Sequence, residues 1–393
     1  MPRWTYRLLA RSNAVLACAA LLAGCALIPG QPDEPLPLAD ALFDAPPQMP
    51  RADQVMALDA GMRGLLVRLA ASPGGGASTP LQRLLGALYG SRELMLDYDG
   101  RITRSASEAF AAKSGNCLSL VLMTAAFARE LGLPVRFNAA QVDDQWHQQG
   151  SLLLRSGHVN LTLGNRSRAP VWRSDGSNET MVDFLPPEAL RGLRTQPIAE
   201  ATVLAMYFNN RAAESLAAGR TTDAYWFARQ ALLQDAGFDA AMNTLAVVYL
   251  RAGQTDLADR ALGRLLDRDP AHTSALANLA LVRDAQGRTA DADALRVRRA
   301  RLEPHAPLQW LAEGLLALRR GDGELARRLF EREITHSGSS VELQFGLAQA
   351  YWRLGQPRLA EHALARAVED SADAAERARL GAKIAWLRAH AVQ

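Results

Sequence analysis

Lysine is almost absent from this sequence, and so is an excess of charge of either sign. Only two of the 44 basic residues are lysine, and this skew by itself carries no functional information. The formal net charge is +3, but Arg3, Arg7 and Arg11 account for all of it, because the rest of the chain has 41 basic and 41 acidic residues. A neutral chain offers no overall electrostatic attraction for a nucleic acid, so we expect no nucleic-acid partner.

Cysteine is also scarce, which excludes a disulfide framework. The three cysteines are Cys18 in an apolar leader, Cys25 at the end of that leader and Cys117 far beyond it. With the leader removed and Cys25 modified, Cys117 is the only free thiol, and no intramolecular disulfide is available. One cysteine and scattered histidines give no close metal-ligand spacing, and no glycine loop of the phosphate-cradling kind is present, so we expect neither a metal nor another cofactor.

The N-terminal leader, residues 1–25, combines a basic start, an apolar run from Ala14 to Ala23 and small residues before Cys25. The run is too short to cross a bilayer, which takes about 20 apolar residues, so the segment predicts a signal peptide. Its last four residues, Leu22-Ala23-Gly24-Cys25, resemble the lipobox of bacterial lipoproteins. The resemblance implies a lipid anchor on Cys25 and, because Ala26 follows, sorting to the outer membrane, facing the periplasm. The alternative is an ordinary secretory signal in which Cys25 is incidental.

The next segment, residues 26–50, contains seven prolines. Proline is excluded from helix interiors and central strands, and it favours extended polyproline conformations. We therefore expect a tether that holds the first folded domain, residues 51–195, away from a membrane surface. In that domain the apolar spacing predicts helices over 51–71 and from Pro80 to about Tyr89. The capping-box spacing of Ser105 and Glu108 predicts a short helix through Phe110.

The stretch Ser114-Gly115-Asn116-Cys117-Leu118-Ser119-Leu120 organises this domain. Gly115 and Asn116 suit a tight turn and an N-cap, and apolar residues then recur at helical spacing as far as Leu131. Cys117 is thus expected in the first turn of a buried helix. The free N–H groups and the positive end of the helix dipole activate a thiol at that position, and the same N–H groups can donate to an oxyanion.

Four strands are expected after this helix. They are runs rich in Val, Leu and Phe or short apolar segments, at Val135–Val142, Ser151–Arg155, Gly157–Leu163 and Met181–Phe184. In the third strand, His158 shares a face with Asn160 and Thr162. Asp183 in the fourth strand costs stability unless a partner pairs with it. His147, in a predicted polar loop, is an alternative catalytic histidine.

A thiol, an imidazole and a carboxylate are the groups that acyl transfer through a thioester requires. The imidazole removes the thiol proton and later protonates the leaving amine, while the carboxylate orients the ring and supports its charged form. A helix N-terminus that faces two neighbouring strands can bring Cys117, His158 and Asp183 together.

The motifs Gly115-Asn116-Cys117-Leu118-Ser119, Gly157-His158-Val159-Asn160 and Val182-Asp183-Phe184 resemble, in this order, the transglutaminase-like branch of the papain-like superfamily. The resemblance covers about residues 90 to 190. It implies that Cys117 is the nucleophile, His158 the base and Asp183 the residue that orients the base, in an enzyme acting on an amide bond. It offers no certain oxyanion side chain, because Asn116, Trp146 and Asn160 are only neighbours of the motifs.

Each of these three residues also has an ordinary structural interpretation. A cysteine at a helix start is commonly a small buried apolar residue. A lone histidine is usually structural, and an aspartate in a strand can simply cap a turn. In that case the domain is a catalytically inactive scaffold.

Glycines recur every 34 residues in the second half of the chain, at Gly219, Gly253, Gly287, Gly321 and Gly355. An alanine follows each glycine by five positions, and an alanine or glycine precedes each by seven. The unit resembles the tetratricopeptide repeat (TPR), a helix hairpin in which small residues let two helices approach closely. Five units are expected over about 200–372, followed by a capping helix from Asp373 to about Ala391.

Superhelices of this kind usually present a concave face to a protein segment, so we expect a protein or peptide partner in the repeat groove. The alternative is a rigid spacer. Arginines cluster at 296–301 and 327–332, and they predict either a solvated helix face, which we favour, or a basic patch for an acidic peptide.

The sequence thus predicts an α+β transglutaminase-like domain followed by an all-α tetratricopeptide-repeat solenoid. The first hypothesis is a lipid-anchored envelope enzyme, a cysteine peptidase, amidase or acyltransferase, that acts on a protein, peptide or cell-wall peptide. The second is an inactive scaffold that assembles an envelope complex. The pattern leaves hydrolysis and transfer both open.

Overall fold

The computed structural model describes residues 36–44, 48–71, 79–90, 94, 96–100, 102–149, 152–164, 179–184, 194–302, 309–371 and 374–390. The predicted signal peptide and Cys25 lie outside these residues. The chain divides into two compact units, Met1–Leu38 and Ala39–Gln393, and the second holds all the elements given below. Among the described residues, no helix is both long enough and apolar enough to cross a membrane.

The first helices of the second unit are α1 (Ala52–Val55), α2 (Ala60–Ala71) and α3 (Pro80–Leu85). The prediction of one helix over 51–71 is wrong, because the chain breaks between α1 and α2. Asp59 explains the break, since its Oδ1 accepts the N–H of Met62 at 2.7 Å and so caps a new helix start. The second predicted helix is confirmed, with a capping box at Thr79 and a wider turn over Gly86–Gly90.

Two short strands and two helices surround Cys117. They are β1 (Asp97–Tyr98), α4 (Ala106–Ala112), β2 (Ser114–Gly115) and α5 (Cys117–Glu130). The predicted capping box of α4 is present, because Ser105 N–H donates to Glu108 Oε2 at 2.8 Å and Ser105 Oγ accepts the Glu108 N–H at 3.4 Å. Helix α5 is almost wholly buried from Leu118 to Ala128, which makes it the centre of this domain's core.

A four-stranded antiparallel sheet follows, in the order β5-β4-β3-β6. Its strands are β3 (Val135–Gln149), β4 (Leu152–Gly164), β5 (Glu179–Val182) and β6 (Arg194–Ile198). The two strands predicted over 151–163 are one strand, and the predicted polar loop around His147 is part of β3. Strand β6 was not predicted, and it contains Pro197. Its edge position tolerates a residue that cannot donate a ladder hydrogen bond.

The second half of the unit is an all-helical TPR-like solenoid, as predicted. Within the described residues its helices are α6 (Glu200–Ala217), α7 (Thr221–Gln234), α8 (Asp239–Arg251), α9 (Thr255–Arg268), α10 (Thr273–Ala285), α11 (Thr289–Leu302), α12 (Gln309–Arg319), α13 (Gly323–Ser337), α14 (Val341–Arg353), α15 (Pro357–Asp370) and α16 (Ala374–His390). The recurring glycines lie in the left-handed region, with φ between +69° and +84°, and each separates the two helices of a hairpin. The last helix, α16, is the predicted cap.

Two glycines of the last repeats, Gly314 and Gly346, are explained by the packing of Phe330, whose side chain is fully buried. A Cβ atom at Gly314 would lie 2.5 Å from the Phe330 ring, and one at Gly346 would lie 2.8 Å from it. The ring therefore occupies space that a side chain on either neighbouring helix would fill.

The arginine clusters of the repeats are matched by acids of the same array. Arg296 pairs with Asp284 and Asp293, and Arg327 pairs with Glu324 and Glu331. Exposed pairs of this kind contribute at most about 1 kcal/mol each. These pairings favour the solvated helix face over a basic patch.

Candidate thiol active site

Buried side-chain hydrogen bonds fix the N-terminus of α5. Asn116 Oδ1 accepts the N–H of Ser119 at 2.9 Å and its hydroxyl at 2.8 Å, while Asn116 Nδ2 donates to the Thr103 hydroxyl at 2.8 Å. The Ser119 hydroxyl in turn accepts the N–H of Arg104 at 2.8 Å. Asn116, Thr103 and Ser119 are all buried, so the loss of one would leave another without its partner. These residues determine where the helix that carries Cys117 begins.

Gly115 has a separate role in the same motif. A Cβ atom at this position would lie 2.6 Å from the Cβ atom of Ser119, closer than real Cβ atoms approach. The backbone of β2 therefore passes directly over the first turn of α5 only because residue 115 has no side chain. Gly115 is thus required by packing for the position of Cys117.

His158 on β4 and Asp183 directly after β5 form a buried pair. His158 Nε2 lies 2.8 Å from Asp183 Oδ1 and 2.9 Å from Oδ2. The two side chains are only 6% and 2% exposed. The pair follows from the sheet register, because Leu161 pairs with Val182 and brings the end of β5 alongside this part of β4.

The thiol of Cys117, which is half-buried, completes the cluster. Because Asp183 occupies Nε2 of His158, Nδ1 is the ring nitrogen that remains for the thiol. Burial lowers the pKa of His158, but the hydrogen bonds and charges of Asp183 and Cys117 outweigh it and raise the pKa to about 9. The imidazole is therefore protonated at neutral pH, and the structure brings the three predicted residues together.

Two asparagines support the carboxylate of Asp183. Asn160 Nδ2 donates to Asp183 Oδ2 at 2.9 Å, and Asn160 Oδ1 accepts from Asn138 Nδ2 at 3.0 Å. Asn138 Nδ2 also lies 3.0 Å from the Thr162 hydroxyl. This chain of buried amides explains why polar residues alternate with apolar ones along β4. It gives Asn160, which the sequence placed only near the motif, a contact with the site.

Two tyrosines also border the site. The Tyr89 hydroxyl donates to the backbone carbonyl of Asp183 at 2.8 Å, and burial raises the pKa of Tyr89 to about 12. The Tyr98 hydroxyl is hydrogen-bonded by the backbone of Cys117. Burial and the neighbouring Cys117 and Asp99 raise the pKa of Tyr98, while the hydrogen bond with the backbone of Cys117 lowers it. A neutral hydroxyl therefore lies beside the first turn of α5.

Sequence reasoning missed both tyrosines and Thr103. Tyr98 reaches the site because β1 pairs in parallel with β2, which places Tyr98 opposite Gly115, and no local pattern indicates that pairing. The alternative histidine, His147, is placed elsewhere by the backbone. His147 pairs with Leu154, whereas His158 pairs with Ala140. His147 lies seven residues along β3 from Ala140, so its backbone is roughly 20 Å from that of His158.

The first repeat helix contacts the loop that holds the N-cap of α5. Glu214 on α6 accepts the N–H of Thr103 at 2.7 Å, and Arg211 donates to the Thr103 carbonyl at 3.4 Å. Thr103 then accepts from Asn116 through its hydroxyl. One continuous hydrogen-bond path therefore joins the solenoid to the residue before Cys117.

Among the described residues, no group of three or more His, Cys, Asp or Glu side chains could hold a metal ion.

Comparison with known proteins gives no family. No protein-family model matches this chain, and no curated protein matches it either. Similar solved structures include a thermophilic TPR protein of Thermus thermophilus, 20% identical with a TM-score of 0.29, aligned over 47% of this chain and 98% of that one. PilF of Pseudomonas aeruginosa is 20% identical with a TM-score of 0.29, over 48% of this chain and 87% of that one. At such scores the assignment of the repeats depends on the 34-residue helix hairpins themselves.

Proposed function

We propose that this chain is an envelope enzyme of the transglutaminase-like type that acts on an amide bond of a protein or peptide through a thioester on Cys117. The observation that carries the proposal is the position of the His158 ring, which contacts the Asp183 carboxylate through Nε2 and is also hydrogen-bonded to the Cys117 thiol. Ordinary packing has no need for three such groups in this order, because a buried carboxylate and a charged imidazole both cost free energy.

The proposed chemistry is acyl transfer in two steps. The sulfur of Cys117 attacks the amide carbonyl carbon, the C–N bond breaks, and the imidazolium of His158 gives its proton to the leaving amine. The thioester is then attacked by water or by a second amine, whose proton His158 accepts, and the C–S bond breaks, so that the acyl product leaves and the Cys117 sulfur and the imidazolium are regenerated. Asp183 holds the ring in place and supports its positive charge through both half-reactions.

The negative charge on the carbonyl oxygen needs donors during both steps. The backbone N–H of Cys117 at the helix N-terminus is one, and the Tyr98 hydroxyl beside it is the second that we propose. Tyr98 suits this role because its raised pKa keeps the hydroxyl proton in place at neutral pH.

Alkylation of Cys117 tests the thiol site without a known substrate. In protein that begins at residue 26, Cys117 is the only thiol, so iodoacetamide labelling reports on this residue alone. We expect labelling to be at least tenfold slower in His158→Ala than in wild type, because the imidazole that hydrogen-bonds to the sulfur is then missing. His362→Ala, at an exposed histidine of α15, is the matched control. Equal rates in wild type and His158→Ala would contradict the proposal.

The envelope location is proposed from the leader alone, through a lipid on Cys25. Globomycin, which blocks cleavage of lipid-modified precursors, provides the test. We expect an uncleaved, lipid-bearing precursor to accumulate in treated cells. Its absence would overturn the proposed lipid anchor on Cys25 but would not bear on the proposed chemistry of Cys117.

A second candidate function is favoured by the solenoid, which suits the binding of a protein partner. In that case the repeats recruit a partner or substrate, and the thiol domain serves as a docking module. Cys117→Ala separates the two functions. A variant that is present at the wild-type level and fully restores the phenotype of a deletion strain would favour the scaffold.

A further inference from the structure

Part of the proline-rich tether lies against the solenoid instead of extending freely. Asp40–Leu42 forms a single 3-10 turn, and residues 39–44 contact helices α7 and α8. The surface they contact consists of Tyr225, Trp226, Arg229 and Tyr249, which we call the Tyr225 site.

Charged and backbone groups of the segment are both bound. Tyr225 accepts the N–H of Ala39 at 2.8 Å and donates to Asp40 Oδ1 at 2.6 Å, so one hydroxyl contacts main chain and side chain together. Arg229 Nε donates to the same carboxylate oxygen at 2.8 Å. These hydrogen bonds outweigh burial and lower the pKa of Asp40. Trp226 Nε1 donates to the carbonyl of Asp44 at 2.6 Å.

The aromatic contact is equally specific. The ring of Phe43 stacks on Tyr225 with centroids 3.9 Å apart and an angle of 7° between planes. Tyr249 lies 6.2 Å from Phe43 on another side. Of residues 40–44, only Phe43 is partly buried, while Leu42, which lies between Asp40 and Phe43, is 51% exposed. The binding therefore depends on an acid and on an aromatic ring three positions later.

We propose that the Tyr225 site is a peptide-recognition site for a partner protein segment with an acidic residue followed three positions later by an aromatic residue, and that residues 39–44 occupy it in cis. Every contact comes from six consecutive residues in a single turn, so a separate chain can supply all of them. The inference rests on the partner-binding role proposed for the repeats, and it is independent of the thiol chemistry.

In this arrangement the segment is a competitor that a partner must displace. A ligand joined by a short linker has an effective concentration on the order of 1 mM. For the segment to stay bound, the free peptide must bind with a Kd below about 1 mM, which direct titration can measure.

The experiment uses a labelled peptide of residues 37–47 and the full chain from residue 26 carrying Asp40→Ala and Phe43→Ala. Fluorescence anisotropy should show saturable binding to this vacated protein, and binding to wild type at least tenfold weaker because the site is filled. A peptide with Leu42→Ala should bind unchanged, whereas one with Phe43→Ala should not bind. Arg229→Ala in the vacated protein should weaken binding at least fivefold, since it removes the charge-assisted bond to Asp40.

Circular dichroism and Cys117 alkylation of the vacated protein show whether it is folded and whether the thiol site is intact. If the double variant does not fold, Phe43→Ala alone replaces it, because this change removes the aromatic stack on which binding depends and leaves Asp40 unaltered. If the vacated protein is folded but binds the peptide no better than wild type does, the proposal is overturned, and the contact is an internal packing feature only. That result would leave the thiol site, measured by alkylation in the same protein, unaffected.

Discussion

The Nε2 atom of His158 lies between the two carboxylate oxygens of Asp183, 2.8 Å from one and 2.9 Å from the other. The Asp183 side chain is almost completely buried, so this contact and the amide of Asn160 replace the water that the carboxylate loses on folding. The pair also joins the end of β5 to β4. A group that supports the proposed catalysis is thus at the same time a structural contact, and stability and reactivity should both depend on its protonation.

The first prediction concerns pH. The pKa of His158 is about 9 in the folded protein and near 6.5 when unfolded, so its proton stabilises the fold fully below pH 6.5, and this stabilisation is lost as the pH rises through 9. Urea unfolding should show wild type losing up to about 3 kcal/mol relative to His158→Gln between pH 6 and 9.5. In Cys117→Ser the loss should be smaller, because Cys117 helps to raise the pKa. A pH-independent difference would contradict the assignment.

The parts of this arrangement that the sequence predicted are those with local signals. The caps at Ser105 and Asn116 depend on residues three positions apart, so the chain itself displays them. The order of Cys117, His158 and Asp183 was visible through a family resemblance, whereas their contact depends on strand register.

The missed features depend on distant residues. Tyr98 reaches the site through its pairing with a strand 17 positions later, and Glu214 reaches Thr103 across 111 positions. The docking of Phe43 was hidden in the same way, because a proline-rich segment predicts extension unless its ring finds a partner such as Tyr225. The break at Asp59 is different, since its capping signal is local but lies within a continuous apolar spacing.

The second prediction separates Tyr98 from the thiol itself. Tyr98→Phe removes the proposed donor to the oxyanion and keeps the ring, so acylation of Cys117 by p-nitrophenyl acetate should slow on the order of 10- to 100-fold. Alkylation by iodoacetamide develops no oxyanion and should change less than twofold. The ratio of the two rates is the measurement. Equal slowing of both reactions would show that Tyr98 only positions the thiol.

The third prediction concerns Gly115. An added methyl group would lie 2.6 Å from Ser119 Cβ, so Gly115→Ala should lower the free energy of unfolding by about 1–3 kcal/mol and slow Cys117 alkylation by displacing the start of α5. Gly263→Ala is the control, because a Cβ atom there meets nothing within 4 Å in the middle of α9. That change should stabilise the protein by about 0.5–1 kcal/mol and leave alkylation unchanged. Similar effects of both substitutions would contradict this account.

The last prediction tests the path from the solenoid to the thiol. Glu214→Ala leaves the N–H of the buried Thr103 without its acceptor, which should cost about 1–3 kcal/mol in urea unfolding. Because Thr103 also holds Asn116, the N-cap of α5 should loosen and Cys117 alkylation should slow severalfold. Glu214→Gln retains a carbonyl acceptor and should restore most of both losses.

Glu200→Ala on the same helix is the matched control for that path. Glu200 pairs with Arg129 at a half-exposed position, and such a pair contributes at most about 1 kcal/mol without touching the cap of α5. It should therefore lower stability slightly and leave the alkylation rate as it is. If Glu200→Ala and Glu214→Ala slow alkylation equally, the effect comes from general loosening of α6. If only Glu214→Ala does so, binding of a partner to the repeats has a physical route by which it could alter the reactivity of Cys117.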